Sequence, residues 1–262
     1  MNFMFYILIF ILGAAIGSFL NVVICRLPKG RSVVKQRSCC PHCSKTLRAR
    51  DLVPIFSFLL LRAKCRDCRA KISWQYPIVE LAAGLFFVFI AYSYGAVTDL
   101  QNILIYRDLI FVSALLVIFM CDLKYFLVFD AVVIPMMVFA FVINLFVFAS
   151  AGDFWYHLAW LVGAAVFGGG FFFLQHWLSK GKWVGAGDIR LGILMGLMLG
   201  WPLTLVGLFI AYIVGAVVSL ILLGLKIRKM KSEVPFGVFL ALATFITLFW
   251  GSNLLNYYLS LL

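Results

Sequence analysis

The strongest constraint on this chain is the alternation of long apolar stretches with short polar interruptions along all 262 residues. A helix needs roughly 20 mostly apolar residues to cross the hydrocarbon core of a bilayer. Stretches of that kind run over 3–25, 77–95, 102–121, 130–149, 156–178, 188–200, 203–225 and 235–253. In lipid every backbone N–H and C=O must be satisfied internally, so such segments fold as helices. With 65% hydrophobic residues, 12% charged residues and a mean hydropathy of +1.09, the composition excludes an ordinary soluble domain. The expected fold is an all-α polytopic membrane protein of about eight transmembrane helices. The sixth stretch is the shortest, and the Gly200-Trp201-Pro202 turn behind it leaves open a single kinked element in place of two.

Charge placement predicts orientation, because cytoplasmic loops retain Lys and Arg. Of the 22 basic residues, thirteen fall in segment 26–76. Lys124, then Lys180, Lys182 and Arg190, then Lys226, Arg228, Lys229 and Lys231 fall on the same side, and only Arg107 dissents. Both termini are then outside, and Tyr94–Gln101, Ser150–Tyr156 and the C-terminal tail lie on the far face. The first apolar stretch lacks a basic n-region and an A-x-A-like cleavage site, with its positive charge following at Arg26 and Lys29. It reads as a retained span. The net charge of +12 needs no nucleic acid; a bilayer with anionic headgroups is a sufficient partner.

Segment 26–76 is the one long polar stretch, and it carries Cys40-Pro41-His42-Cys43 and Cys65-Arg66-Asp67-Cys68. Each CxxC forms a tight knuckle that aims two sulfurs at one point, and two such pairs close a tetrahedral zinc site. A loop of this length buries little core, so a metal cross-link stabilises what packing alone does not. Disulfides are the competing reading, disfavoured by a reducing cytosol. Cys39, beside Cys40, offers a second register, and Cys25 and Cys121 fit ordinary apolar packing. The domain division is a first helix over 1–25, a cytoplasmic zinc-knuckle domain over 26–76 and a membrane bundle over 77–262. Between the knuckles, Val53 to Leu61 is too short to span and too apolar for a free loop, so it lies at the membrane interface or packs on the knuckles.

Asp122, Asp130 and Asp188 all fall at the cytoplasmic edge of apolar segments. Carboxylates there cost free energy and are suspects for function. Gly185 and Gly187 precede Asp188 and let backbone turn tightly or approach a substrate strand; the plainer reading of Gly185-Ala186-Gly187-Asp188 is a helix entry with Asp188 as N-cap. Asp130 directly precedes an apolar run and suits a cap. Gly192, Gly196 and Gly200 recur every fourth residue, as close helix packing requires, while Gly168-Gly169-Gly170 suits a kink or a close contact. Glu80 is either a second-site residue or a partner of a loop cation. Ser18 and Asn21 suit hydrogen bonds across helices, Arg107 and Asp108 suit a pair, and His157 and His176 suit interfacial positions.

Several of these motifs together resemble the type IV prepilin peptidases. Gly17-Ser18-Phe19-Leu20-Asn21 through Arg26-Leu27-Pro28 is similar to that family's opening signature, followed by the two CxxC pairs and by Ile72-Ser73-Trp74-Gln75-Tyr76-Pro77-Ile78-Val79-Glu80. Asp122-Leu123-Lys124 with Asp130 resembles the first aspartate motif, although Val128-Phe129 stand before Asp130 where Ile-Pro is frequent. Gly185-Ala186-Gly187-Asp188 resembles the second, which names the GxGD intramembrane aspartyl proteases, and Pro235-Phe236-Gly237 resembles a late motif. The resemblance covers essentially the whole chain.

It implies that Asp122 and Asp188 form a catalytic pair in a bacterial cytoplasmic membrane, with Asp130 a nearby carboxylate and Glu80, Pro235, Gly237 and the two motif glycines in support. It further implies that prepilins or pseudopilins lose a basic leader at the cytoplasmic face, and that the new N-terminal amine is methylated from S-adenosylmethionine. No methyl-donor pocket is recognisable in the residues themselves, and they do not give the oligomeric state. Two other classes remain as alternatives: a proton-coupled transporter, for which intramembrane carboxylates are equally natural, and a zinc-stabilised scaffold without catalysis.

Overall fold

The computed structural model describes residues 3–35, 37–95, 103–149, 152–226 and 234–261. Arg228, Lys229 and Lys231, and parts of both loops expected on the far face, lie outside the described residues. The long helices are α1 (Phe3–Arg26), α3 (Gln75–Ser93), α4 (Ile103–Tyr125), α5 (Asp130–Ala149), α6 (Phe154–Ser179), α7 (Ala186–Leu199), α8 (Leu203–Gly224) and α9 (Phe236–Leu259), with a short α2 (Phe56–Leu60) in the loop. Seven are long and apolar enough to cross a membrane, and the protein is multi-pass.

The eighth long helix, α7, has 14 residues, about 21 Å at 1.5 Å per residue and short of a ~30 Å hydrocarbon core. It is separate from α8: Gly200 takes φ 68° and its N–H closes on Gly196 O at 2.9 Å. That left-handed position favours glycine. It ends α7 and removes the kinked-element alternative, and it also removes Gly200 from the packing face proposed with Gly192 and Gly196.

The chain divides into two compact units, Met1–Val117 and Ile118–Leu262. In the first, α1 and α3 run antiparallel in close contact, because Gly13 and Gly17 present no side chain. A Cβ on Gly13 would stand 2.8 Å from Ala83 O, and one on Gly17 2.8 Å from Glu80 Cα. Polar residues at one end extend the contact: Asn21 Nδ2 donates to Tyr76 O at 3.1 Å, and Gln75 Nε2 donates to Asn21 Oδ1 at 3.2 Å. Tyr94 OH and Arg107 Nε donate to the two carboxylate oxygens of buried Asp108 at 2.5 and 2.8 Å. Arg107 is therefore neutralised beside its neighbour.

In the second unit α6 stays helical through Gly168-Gly169-Gly170, so those glycines make a close contact and no kink. Gly168 faces Gly192, and Gly196 faces Ala164 O, so near that a Cβ on any of the three would overlap backbone of the other helix. Asn144 of α5, buried, donates from Nδ2 to Leu197 O of α7 at 2.8 Å and to Ala140 O at 2.9 Å. Helix α7 packs against α5, α6, α8 and α9; enclosure by protein lets so short a helix sit at membrane depth.

Candidate active site

Asp122 and Asp188 belong to the same compact unit. Helix α4 continues past the expected end of its apolar stretch, so Asp122 lies in its last turns, facing inward and 5% exposed. Its Oδ2 accepts the N–H of Val238 at 3.0 Å. That donor is free because Pro235 caps α9 in an extended conformation and Val238 is in the helix's first turn, where N–H groups lack intrahelical partners. Gly237 makes the approach possible, since a Cβ there would stand 2.8 Å from Asp122 Oδ2 and 2.9 Å from Leu191 Cδ1. Pro235 and Gly237 thus serve one purpose: they bring an unpaired backbone donor onto a buried carboxylate.

Asp188 is the third residue of α7 and half-buried, and the N-cap is Gly185. The Asp188 carboxylate reaches back and accepts the Gly185 N–H at 3.1 Å, while Asp188 N–H donates to Gly185 O at 3.1 Å. The simple N-cap reading of Asp188 is therefore corrected by one turn. Gly187 lies against Val128, where a Cβ would stand 2.9 Å from Val128 Cβ. Upstream, Lys180 and Gly181 turn with φ 52° and 77°, and His176 Nδ1 donates to Val184 O at 2.8 Å. These contacts fix the entry to α7. Gly237 links the two aspartates, lying against both the Asp122 carboxylate and Leu191, one turn after Asp188.

Asp130 does not join them. It is the first residue of α5, exposed, and its carboxylate pairs with Arg190 of α7. Phe129 O accepts the first helical N–H groups, from Val132 and Val133, so Asp130 is not the cap either. Its pairing ties the start of α5 to the turn that carries Asp188. Sequence reading missed Arg190 as a partner, Asn144 and the Val238 N–H. A lone Asn in an apolar helix was a usable signal for Asn144; a backbone donor leaves none. Tyr212 meets Phe236 tilted at 56° with ring centroids 5.0 Å apart and donates to Gln175 Oε1 at 2.9 Å.

The first unit holds the other two constellations. The sulfurs of Cys40, Cys43, Cys65 and Cys68 all lie within 4.8 Å of one another, with Cys40 and Cys68 Sγ 3.8 Å apart. A tetrahedron with 2.3 Å metal–sulfur bonds has edges of about 3.8 Å, and all four cysteines are free. The cluster fits zinc. The two knuckles repeat one geometry: Cys40 and Cys65 N–H donate to Lys45 and Ala70 O at 3.0 and 2.8 Å, and Ser44 and Arg69 take φ 58° and 57°. Cys39 pairs outward with Thr46, as Lys64 does with Lys71, which settles the register on Cys40. Burial pushes the Cys40 thiol up, but hydrogen bonds from the Cys43 and His42 backbone and with Cys43 and Cys65 side chains outweigh it and bring it to about 7. His42 is exposed.

Glu80 is buried in α3, and its Oε2 accepts the N–H of Ile55 at 2.7 Å. Its partners are thus loop backbone and Ser18, with no loop cation among the described residues.

Two family models match: one described as the bacterial peptidase A24 N-terminal domain over residues 11–94, the other as the type IV leader peptidase family over residues 109–220. A prepilin leader peptidase/N-methyltransferase of Stutzerimonas stutzeri is 32% identical, over 95% of this chain and 92% of its own. Proteins of the same description from Pseudomonas aeruginosa and Bacillus subtilis are each 30% identical, covering 95% and 97% of this chain and 91% and 98% of theirs. No solved structure matches. Both matched regions and the near-complete coverage at this identity establish that the chain belongs to the type IV leader peptidase family.

Proposed function

We infer that the protein is an aspartic endopeptidase that removes the leader from prepilins or pseudopilins, and that it N-methylates the new terminus. The observation that carries the peptidase half is the pair itself: both motif aspartates lie in one compact unit, one buried, the other half-buried, with Gly237 against the Asp122 carboxylate and against Leu191, one turn after Asp188. The relatives carry the substrate class, and the transporter alternative finds no support among them.

Asp122 and Asp188 act as the dyad. Two neighbouring carboxylates cannot both ionise cheaply, so the pair holds a shared proton. The ionised member takes a proton from water as that water attacks the scissile carbonyl. The protonated member hydrogen-bonds the carbonyl oxygen, then protonates the leaving amine. Which aspartate plays which part belongs to the pair. The Val238 N–H fixes Asp122, and the Gly185 N–H fixes Asp188. Asp130 positions α7 through Arg190.

Cys40, Cys43, Cys65 and Cys68 hold a structural zinc in the knuckle domain over 26–76, between the first helix and the bundle over 77–262. Thiolate ligation supplies folding free energy to a loop with little core. S-adenosylmethionine supplies the methyl group, and no residue is assigned to it. The charge distribution supports knuckles and aspartates at the cytoplasmic face of the bacterial inner membrane and, with α7 counted as the eighth crossing, both termini outside.

The test incubates purified protein in detergent with a leader-bearing prepilin, comparing wild type with Asp122→Ala and Asp188→Ala. Both variants should lose cleavage to background. Undiminished cleavage by either removes the dyad. Transfer of label from the methyl donor to cleaved substrate checks the second activity.

A further inference from the structure

We propose that α2 and its flanks form an interfacial anchor that inserts into the anionic cytoplasmic leaflet and holds the knuckle module against the membrane. The inference rests on the membrane orientation above and is independent of the peptidase reading.

Depth is the first argument. Helix α3 has 19 residues, about 28 Å, close to one hydrocarbon thickness. Glu80 is its sixth residue, about 7 Å along the axis from Gln75. The 2.7 Å hydrogen bond from Ile55 N–H to Glu80 Oε2 therefore pins the residue before α2 near that level, allowing for the tilt of helical side chains toward the N-terminus. Ile55 itself takes φ 63°, uncommon for a β-branched residue, so the buried carboxylate holds the turn in place.

Surface chemistry is the second argument. Phe58 points inward, 6% exposed, edge-on to Trp74 at 4.9 Å. Phe56, Leu59 and Leu60 point away at 66%, 62% and 82% exposure, and Trp74 at the mouth of α3 is 66% exposed. Neither side of α2 is polar enough to face water at that depth. Arg50, Arg62 and Lys64 flank it and are exposed. The only acidic residues of segment 26–76, Asp51 and Asp67, are paired with Arg66 and Lys45. An apolar knob beside exposed cations matches an anionic lipid surface. It does not match the basic leader of a prepilin, which the same cations would repel.

The full-length zinc-loaded protein is placed in nanodiscs of phosphatidylcholine alone or with about one third phosphatidylglycerol, and amide exchange is followed over residues 55–62. Exchange should be at least about fivefold slower in the anionic discs, the change that a single basic residue at such a surface gives at about 1 kcal/mol. The double change Leu59→Ser with Leu60→Ser should abolish that protection while bound zinc stays at one per chain. A photo-crosslinking residue replacing Leu60 should capture lipid. Equal exchange in both discs, or capture of a second copy or of prepilin in place of lipid, overturns the proposal. Because cleavage is not read, failure here leaves the dyad assignment standing.

Discussion

Gly237→Ala adds one methyl group at the most crowded point of the candidate site. The new Cβ would stand 2.8 Å from Asp122 Oδ2, 3.1 Å from Asp122 Cγ and 2.9 Å from Leu191 Cδ1. Ordinary contact begins near 3.4 Å, so the carboxylate or the backbone must yield by about 0.6 Å. Leu191 can turn its side-chain end away. Asp122 is buried, short and bound to the very next N–H, that of Val238 at 3.0 Å, so movement of either partner strains that bond. Overpacking of this kind costs about 1–3 kcal/mol in stability. A displacement of about 1 Å at reacting groups costs roughly a hundredfold in rate, so cleavage should fall about 10- to 100-fold, mainly in kcat. The assay is prepilin cleavage in detergent, with thermal unfolding of the same preparation to separate misfolding from misplacement. Adding Leu191→Ala relieves one clash and leaves the other. Wild-type kcat in Gly237→Ala, or full recovery in the double variant, would refute the claim that this glycine exists to admit the Asp122 carboxylate.

Asp122→Asn and Asp188→Asn keep shape and remove charge, and each should drop cleavage to background while leaving the unfolding temperature near wild type. Arg190→Ala should lower cleavage by about fivefold or less, because a half-exposed ion pair contributes only about 1 kcal/mol or less; exchanging the two charges, Asp130→Arg with Arg190→Asp, should recover part of it. Asn144→Leu should destabilise the bundle by about 1 kcal/mol, the scale of interhelical side-chain bonds in membranes, read as a lower unfolding temperature. Metal analysis should find one zinc per chain, lost on Cys40→Ser. Zinc binding should weaken as pH falls, most steeply below about 7, because the raised Cys68 thiol takes its proton first and the lowered Cys40 thiol last; a pH-independent zinc content under chelator competition would count against ligation by these cysteines.

The membrane helices were legible because the bilayer imposes one length and one polarity on every span. The knuckles were legible because four ligands at fixed spacing encode a single point in space, though only backbone pairing of Cys39 with Thr46 selects Cys40. The division of labour among three aspartates was legible by resemblance and invisible to local physics: Asp130 looks the better cap, yet Phe129 O takes the cap role and Asp130 reaches across to Arg190.

What sequence conceals is any interaction whose donor is backbone. Val238 N–H on Asp122 and Ile55 N–H on Glu80 leave no mark at positions 238 or 55. Their traces lie beside them, in residues that shape the chain: Pro235 and Gly237 in one case, and a strained turn after Pro54 in the other. Glu80 illustrates the consequence. Paired by charge it would have sought Arg or Lys, which segment 26–76 offers thirteen times. It bonds instead to a backbone amide, which carries no charge to desolvate beside the buried carboxylate. The same economy explains why Asp122 is held by the first turn of a helix: unpaired N–H groups there favour negative charge without bringing a second ion into the bilayer.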